Sequence, residues 1–189
     1  MAFPVRAVGR RPVDADGRRR CRWTAGDPLL IDYHDREWGR PIGDDAGHLE
    51  RMTLEVFQCG LSWRIVLVKR PALRDAFRDF DPPAVARLTA ADVGCLLRHP
   101  GIIRNRRKIE ATIENARRML TLAAEHGSYA RWFAAQATTT ARQRAALFDQ
   151  LCRTFRFMGP ETARCYLMGC GKIRPAHDRG CFAASGGRR

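Results

Sequence analysis

The chain has 189 residues, 45% of them apolar, and carries 34 Lys and Arg against 20 Asp and Glu, a formal net charge of +14. That length suits one domain with a real core, and no apolar run approaches the ~20 residues of a membrane span, which argues against a membrane protein. So large an excess of positive charge points to an anionic partner, and the commonest large anion is nucleic acid. Three of the cations are lysines (Lys69, Lys108, Lys172) and the rest arginines; a bias in composition explains the choice of arginine but not the excess of charge. Seven cysteines, an odd number, and no export signal argue against a disulfide framework and for a reducing cytoplasm.

The elements read as helices almost throughout. Residues 1–20 hold Arg6, Arg10, Arg11 and Arg18 to Arg20 between glycines and prolines but no apolar stretch, so they are expected to be a basic, disordered extension. Leu49, Met52, Val56, Phe57 and Gly60 recur at helical spacing and predict an amphipathic helix over 46–60. Ile65 to Val68 is a four-residue apolar run, but Pro71 follows, and Trp63, Val66 and Leu67 suit a helix rather than a strand. Asp81-Pro82 reads as an N-cap with proline at the first helical position. Thr89 and Asp92 have capping-box spacing ahead of inward Val93, Leu96 and Leu97. Ile109, Ile113, Ala116, Leu120 and Ala123 mark one face of a long helix ending near Gly127. Leu147, Phe148 and Leu151 mark another. Cys59, Cys95, Cys152 and Cys165 fall in these apolar patterns and read as buried small side chains. The expected fold is an all-α bundle.

Four features could carry chemistry. Cys21 precedes His34 by thirteen residues and His177 precedes Cys181 by four, a Cys2His2 set of the kind zinc favours. By spacing alone, surface histidines and buried cysteines are the commoner outcome. Trp23, Tyr33, Trp38 and Trp63 crowd into forty-one residues; such rings suit a flat cationic base, although most tryptophans are core. Glu55 interrupts the apolar run 52–61 and is either a solvated helix edge or a pocket carboxylate. Finally, 101–108 opens the long helix with Arg104, Arg106, Arg107 and Lys108, and 157–163 forms a Gly159-containing turn into Thr162 and Ala163. Both could grip phosphates without reading sequence.

The strings Cys21-Arg22-Trp23, Asp27-Pro28-Leu29, Tyr33-His34-Asp35-Arg36-Glu37-Trp38-Gly39, Leu54-Glu55, Gly60-Leu61-Ser62-Trp63, Gly101-Ile102-Ile103-Arg104-Asn105 and Phe155-Arg156-Phe157-Met158-Gly159, closing on His177 and Cys181, resemble the 3-methyladenine DNA glycosylase I family. The likeness runs in order over about 21–182, which marks one domain with 183–189 as a flexible tail. It implies a helix-hairpin-helix glycosylase fold, with one structural Zn2+ held by Cys21, His34, His177 and Cys181 joining the terminal segments. It further implies catalytic Glu55, Tyr33 and Trp63, a base pocket shared with Trp38 and Trp23, a hairpin over 155–163, and DNA contacts at Leu61, Arg104, Arg106, Lys108, Gly159 and Thr162. Leu61 would fill the gap left by a flipped nucleotide. The chain departs from the family at Val56, where a small residue is usual, at Leu30, where an aromatic is usual, and in a shortened 127–154.

The implied activity is excision of 3-methyladenine from alkylated double-stranded DNA by a cytoplasmic monomer. Glu161 stands where bifunctional relatives place a lysine, so no strand cleavage is expected. Two alternatives stay open: a glycosylase for another alkylated or toxin-modified base, favoured by Val56 and Leu30, and a non-catalytic, zinc-stapled nucleic-acid-binding module.

Overall fold

The computed structural model describes residues 13–184; the expected extension before residue 13 and the tail after 184 lie outside the described residues. Among the described residues there are nine α-helices and no strand. They fall into two compact units, one of residues 42–166 and one of two end segments whose described residues are 13–41 and 167–184.

In the 42–166 unit, α2 (Asp45–Gln58) is the central element and packs on α3 (Trp63–Ala76), α6 (Arg106–His126) and α7 (Tyr129–Ala135). It differs from the one-faced helix expected: every residue from His48 to Phe57 is buried, Glu50, Arg51, Thr53 and Glu55 included. A helix enclosed on all sides must answer for each of its charges. Glu50 does so with Arg70 and Arg74 of α3, whose Nε atoms lie 2.8 and 2.6 Å from its Oε1. Its carboxyl is held down at about 2; burial opposes this, but hydrogen bonds from both guanidiniums outweigh it. Asp45, at the start of α2, accepts from the backbone N–H groups of Tyr129 and Ala130 at 3.1 and 2.8 Å, joining the openings of α2 and α7.

Local signals hold where the backbone alone decides. Asp81 caps α4 (Pro82–Ala86) through Ala84 N, and Thr89 and Asp92 close a capping box on α5 (Ala90–Leu96). Gly127, at φ 84°, ends α6. Tertiary packing overrides two other signals. Pro71 lies inside α3, on its exposed side, and the helix runs on because Leu73 and Ala76 are drawn into the core. Cys95 is exposed rather than buried, because Val93 and Leu96 take the inward face of α5; Cys59 and Cys152 are half-buried and Cys165 is buried as expected.

Helix α8 (Ala141–Thr154) and helix α9 (Pro160–Gly169) are joined by residues 155–159. The long helix α6 holds that connection: Asn115 Nδ2 donates to Arg156 O at 3.0 Å, and Arg156 N donates to Asn115 Oδ1 at 2.6 Å. Arg107 lies over the Phe157 ring, 5.6 Å from its centroid.

In the unit of end segments, Asp27 caps α1 (Pro28–Arg36), accepting from Leu29 N and Leu30 N. Bonds that tie the early segment to the late one include Gly39 N to Gly169 O (2.9 Å), Trp38 Nε1 to Ala176 O (2.6 Å) and Phe182 N to Arg19 O (2.8 Å). Gly39 sits at φ 75°, and a Cβ there would lie 2.9 Å from His177 Nε2. Glycine is therefore required by conformation and by contact alike. Residues 13–20, expected within the extension, form a turn from Asp14 to Arg18 followed by a buried Arg20. Apart from Arg20 and the half-buried Asp14 they are exposed.

Candidate functional site

The end-segment unit assembles the four Cys and His residues. Cys21 sits just before a short 3-10 turn, His34 projects from the last turn of α1, and His177 and Cys181 come from the irregular stretch after α9. Their four ligand atoms all lie within 4.8 Å of one another. His34 Nε2 is 3.2 Å from His177 Nδ1 and 3.3 Å from Cys181 Sγ. His177 Nδ1 is 3.6 Å from Cys21 Sγ and 3.9 Å from Cys181 Sγ. A tetrahedral ion with bonds of roughly 2.0–2.1 Å to nitrogen and 2.3 Å to sulfur requires N···N edges of about 3.3 Å and N···S edges of about 3.6 Å. The donor set fits such an ion. The thiols influence each other: hydrogen bonding with Cys21 holds Cys181 well below the usual thiol range, and the same pairing together with burial pushes Cys21 up.

Beside this cluster lie the aromatic residues. Trp23 meets Tyr33 and Trp38 edge-on, with ring centroids 6.1 and 5.8 Å apart. Tyr33 and Trp38 are buried and Trp23 is half-buried. The structure thus brings together three of the expected pocket residues in this unit.

The other two, Glu55 and Trp63, belong to the 42–166 unit. Glu55 occupies the last turn of α2 at 4% exposure, and its Oε1 has no hydrogen-bond partner among the described residues. Burial pushes its carboxyl up to about 7; Arg51, one turn earlier, opposes the shift and Glu161 of α9 adds to it. Cys165 is close enough that the Glu55 charge helps raise its thiol, behind burial as the main cause. An enclosed carboxylate oxygen with no donor is costly to the free protein, and such groups concentrate where a ligand supplies the missing partner. The sequence did not link Glu161 and Cys165 to Glu55, because only the fold brings α9 to the end of α2, and it gave no sign that Arg51 is enclosed with them.

Trp63 is buried at the first position of α3, which Ser62 caps through Ile65 N at 3.3 Å. The loop between α2 and α3 turns at Gly60, φ 82°. Gln58 holds both ends of the half-buried Leu61: its carbonyl accepts from Leu61 N at 2.7 Å and its Nε2 donates to Leu61 O at 3.1 Å.

The expected phosphate-binding residues divide. Arg104 and Arg106 are exposed, Arg106 with a loose i,i+4 pair to Glu110 at 3.3 Å. Lys108 corrects the sequence reading: it is 6% exposed, and its Nζ donates to the carbonyls of Phe57 and Cys59 at 2.8 and 2.7 Å. It satisfies the C-terminal carbonyls of α2, one turn past Glu55, and is no surface cation. Gly159 is exposed, and a Cβ there would meet nothing within 4 Å. The Thr162 hydroxyl turns inward, 3.4 Å from Cys59 Sγ, so only the backbone there could meet an anion.

Residues 23–148 match the sequence profile of methyladenine glycosylase. The chain belongs to the methyladenine glycosylase family. It is 36% identical to DNA-3-methyladenine glycosylase 1 of Escherichia coli over 185 residues, covering 89% of this chain and 98% of that protein. It is 44% identical to DNA-3-methyladenine glycosylase of Haemophilus influenzae over 103 residues, 54% of this chain and 56% of that protein. Its fold matches a crystal structure of 3-methyladenine DNA glycosylase I with a TM-score of 0.76 and 38% identity, over 87% of this chain and 98% of the other. In this methyladenine glycosylase Leu30 on α1 and Val56 on α2, read from the sequence as departures from the family pattern, are core residues. The 127–154 stretch holds α7 and α8.

Proposed function

We propose that this protein hydrolyses the N-glycosidic bond of 3-methyladenine in alkylated double-stranded DNA and leaves the strand intact. The observation that carries the reading is the buried Glu55 oxygen without a donor. Methylation at N3 makes adenine cationic, so the bond to the sugar breaks with its electron pair passing to a base that departs neutral. No general acid is needed. The protein has to extrude the base, hold it and select it. Glu55 accepts from the exocyclic amine and favours the cationic base, and Trp63 of the same unit offers a ring face to it. Water adds to the sugar carbon and gives up a proton, leaving an abasic site. Leu61, on the loop that Gln58 secures, fills the place of the extruded nucleotide. Arg104 and Arg106 meet phosphates, and the 155–163 segment with Gly159 and the Thr162 backbone acts as the hairpin of a helix-hairpin-helix element. Glu161 in that segment is paired with Arg164 and offers no amine for a Schiff base.

Cys21, His34, His177 and Cys181 hold one Zn2+. With four protein ligands it leaves no position for a catalytic water, so it supplies structure by tying residues near both ends of the chain.

The test is chromatography of bases released from methylated duplex DNA, with the strand examined on a denaturing gel. Release of 3-methyladenine without strand scission is expected. A folded, zinc-loaded protein that binds the duplex and releases no base would replace this reading with a non-catalytic one.

A further inference from the structure

Arg20 is enclosed and heavily hydrogen-bonded. It lies just ahead of Cys21 at 7% exposure and bonds three carboxylates at once. Its Nε and Nη2 grip Asp35 at 2.7–3.1 Å. Its Nη1 reaches Asp14 at 2.8 Å and Asp16 at 2.9 Å. Those two aspartates are presented by the Asp14–Arg18 turn, closed by Gly17 N to Asp14 O (2.8 Å), by Asp14 N to Arg18 O (2.9 Å) and by Arg18 N to Asp16 Oδ1 (3.1 Å). The grip has a direction. Asp35 Oδ1 is 2.7 Å from His34 Nδ1, which places the ring hydrogen on Nδ1 and turns the Nε2 lone pair toward His177 and Cys181. On its other side Arg20 lies over the ring of Phe182, 5.5 Å from its centroid, next in the chain to Cys181. Arg18 stands over the same ring at 5.1 Å, and the ring lies 5.9 Å from His34.

We propose that Arg20 is a positioning residue for the four-ligand metal site, acting through Asp35 on His34 and through Phe182 on Cys181. The turn at Asp14–Arg18 is then part of the metal site's support. A guanidinium suits the task because its planar fork holds a carboxylate at two points, which fixes the plane of Asp35 and with it the plane of the His34 ring. Asp178 gives Cys21 a parallel support, its N–H donating to Cys21 Sγ at 3.2 Å and its Oδ2 accepting from Arg22 N at 2.9 Å. The inference rests on the metal reading above but does not depend on base excision.

The experiment measures Zn2+ affinity of the full chain by competition with a chromophoric chelator, after wild type alone is shown to take up one ion. Arg20→Ala and Asp35→Ala are expected to weaken Zn2+ binding 10- to 100-fold, the range for groups that orient a ligand. The double variant should lie within a few-fold of Asp35→Ala. Arg20→Lys keeps the charge and loses the fork; it provides a measurable intermediate if Arg20→Ala does not fold, with helical content checked by circular dichroism. The stabilisation that Zn2+ confers on wild type should shrink in each variant. Wild-type affinity in folded Arg20→Ala and Arg20→Lys, with loaded and metal-free forms destabilised alike, would show a purely structural clamp and overturn the proposal. Failure of wild type to take up Zn2+ would instead overturn the metal reading itself.

Discussion

Replacing Glu55 by glutamine should separate stability from activity, and the structure sets the size of the effect. The carboxyl is buried and its value is raised from 4.5 to about 7, chiefly by loss of solvation. Between those values the folded state binds more protons than the unfolded state, so stability falls as pH rises through that window. The rise from 4.5 to about 7 corresponds to about 3 kcal/mol of strain in the ligand-free protein above pH 7, and to none below pH 4.5. Glutamine removes the titration. Its amide is also enclosed, which costs a constant amount at every pH. The expected result is therefore a difference between variant and wild type that moves in favour of the variant by about 3 kcal/mol from pH 4.5 to pH 8. For a chain of this size that is on the order of 6–12 °C in melting temperature. Thermal and urea unfolding at matched ionic strength measure it directly. A gap between the two proteins that stays constant with pH would refute the reasoning, because Glu55 would then be solvated rather than held in reserve for a cationic base.

Removing Arg51, as Arg51→Met, takes away the charge that opposes the rise of Glu55; the acid limb of the excision profile should move to higher pH, read from single-turnover rates between pH 5.5 and 9. Asn115→Ala loses both bonds to the Arg156 backbone and should cost about 1–3 kcal/mol of stability by denaturant titration, with weaker duplex binding from a loosened 155–159 segment. Cys181→Ser should lower the melting temperature and the bound metal together; loss of metal at unchanged melting temperature would deny the ion its structural role. Lys108→Met leaves the last carbonyls of α2 without their donor and should destabilise the fold while barely changing the salt dependence of DNA binding, whereas Arg104→Ala should reduce that slope.

The sequence discloses what short-range physics settles. Asp81-Pro82, the Thr89–Asp92 box and Gly127 each fix a helix end with atoms three or four residues apart, and the structure keeps all three. Where burial depends on distant elements, pattern misleads. The charges in α2 suggested an exposed face, but Arg70 and Arg74 from α3 allow Glu50 to be enclosed. Lys108 read as a phosphate ligand because nothing local shows that its ammonium reaches back 51 residues to Phe57 O. Pro71 and the spacing of Trp63, Val66 and Leu67 pointed to a helix rather than a strand over 65–68, and the packing of Leu73 and Ala76 carries α3 past the proline. Spacing alone favoured surface histidines and buried cysteines over a metal cluster, since 143 residues separate His34 from His177. Resemblance supplied that grouping, and the geometry supports it with ligand atoms inside 4.8 Å. The carboxylates around Arg20 had no signal at all, because Asp14 and Asp16 sit in a stretch whose composition reads as extension.

The central claim is that Glu55 holds a cationic base in an enclosed site. Its most direct test is the single-turnover rate of 3-methyladenine release from a methylated duplex, compared between wild type and Glu55→Gln at pH 8. The account predicts release by wild type and a loss on the order of a hundredfold or more in the variant, which stays folded and binds undamaged duplex as before. Equal rates from the two proteins would contradict it.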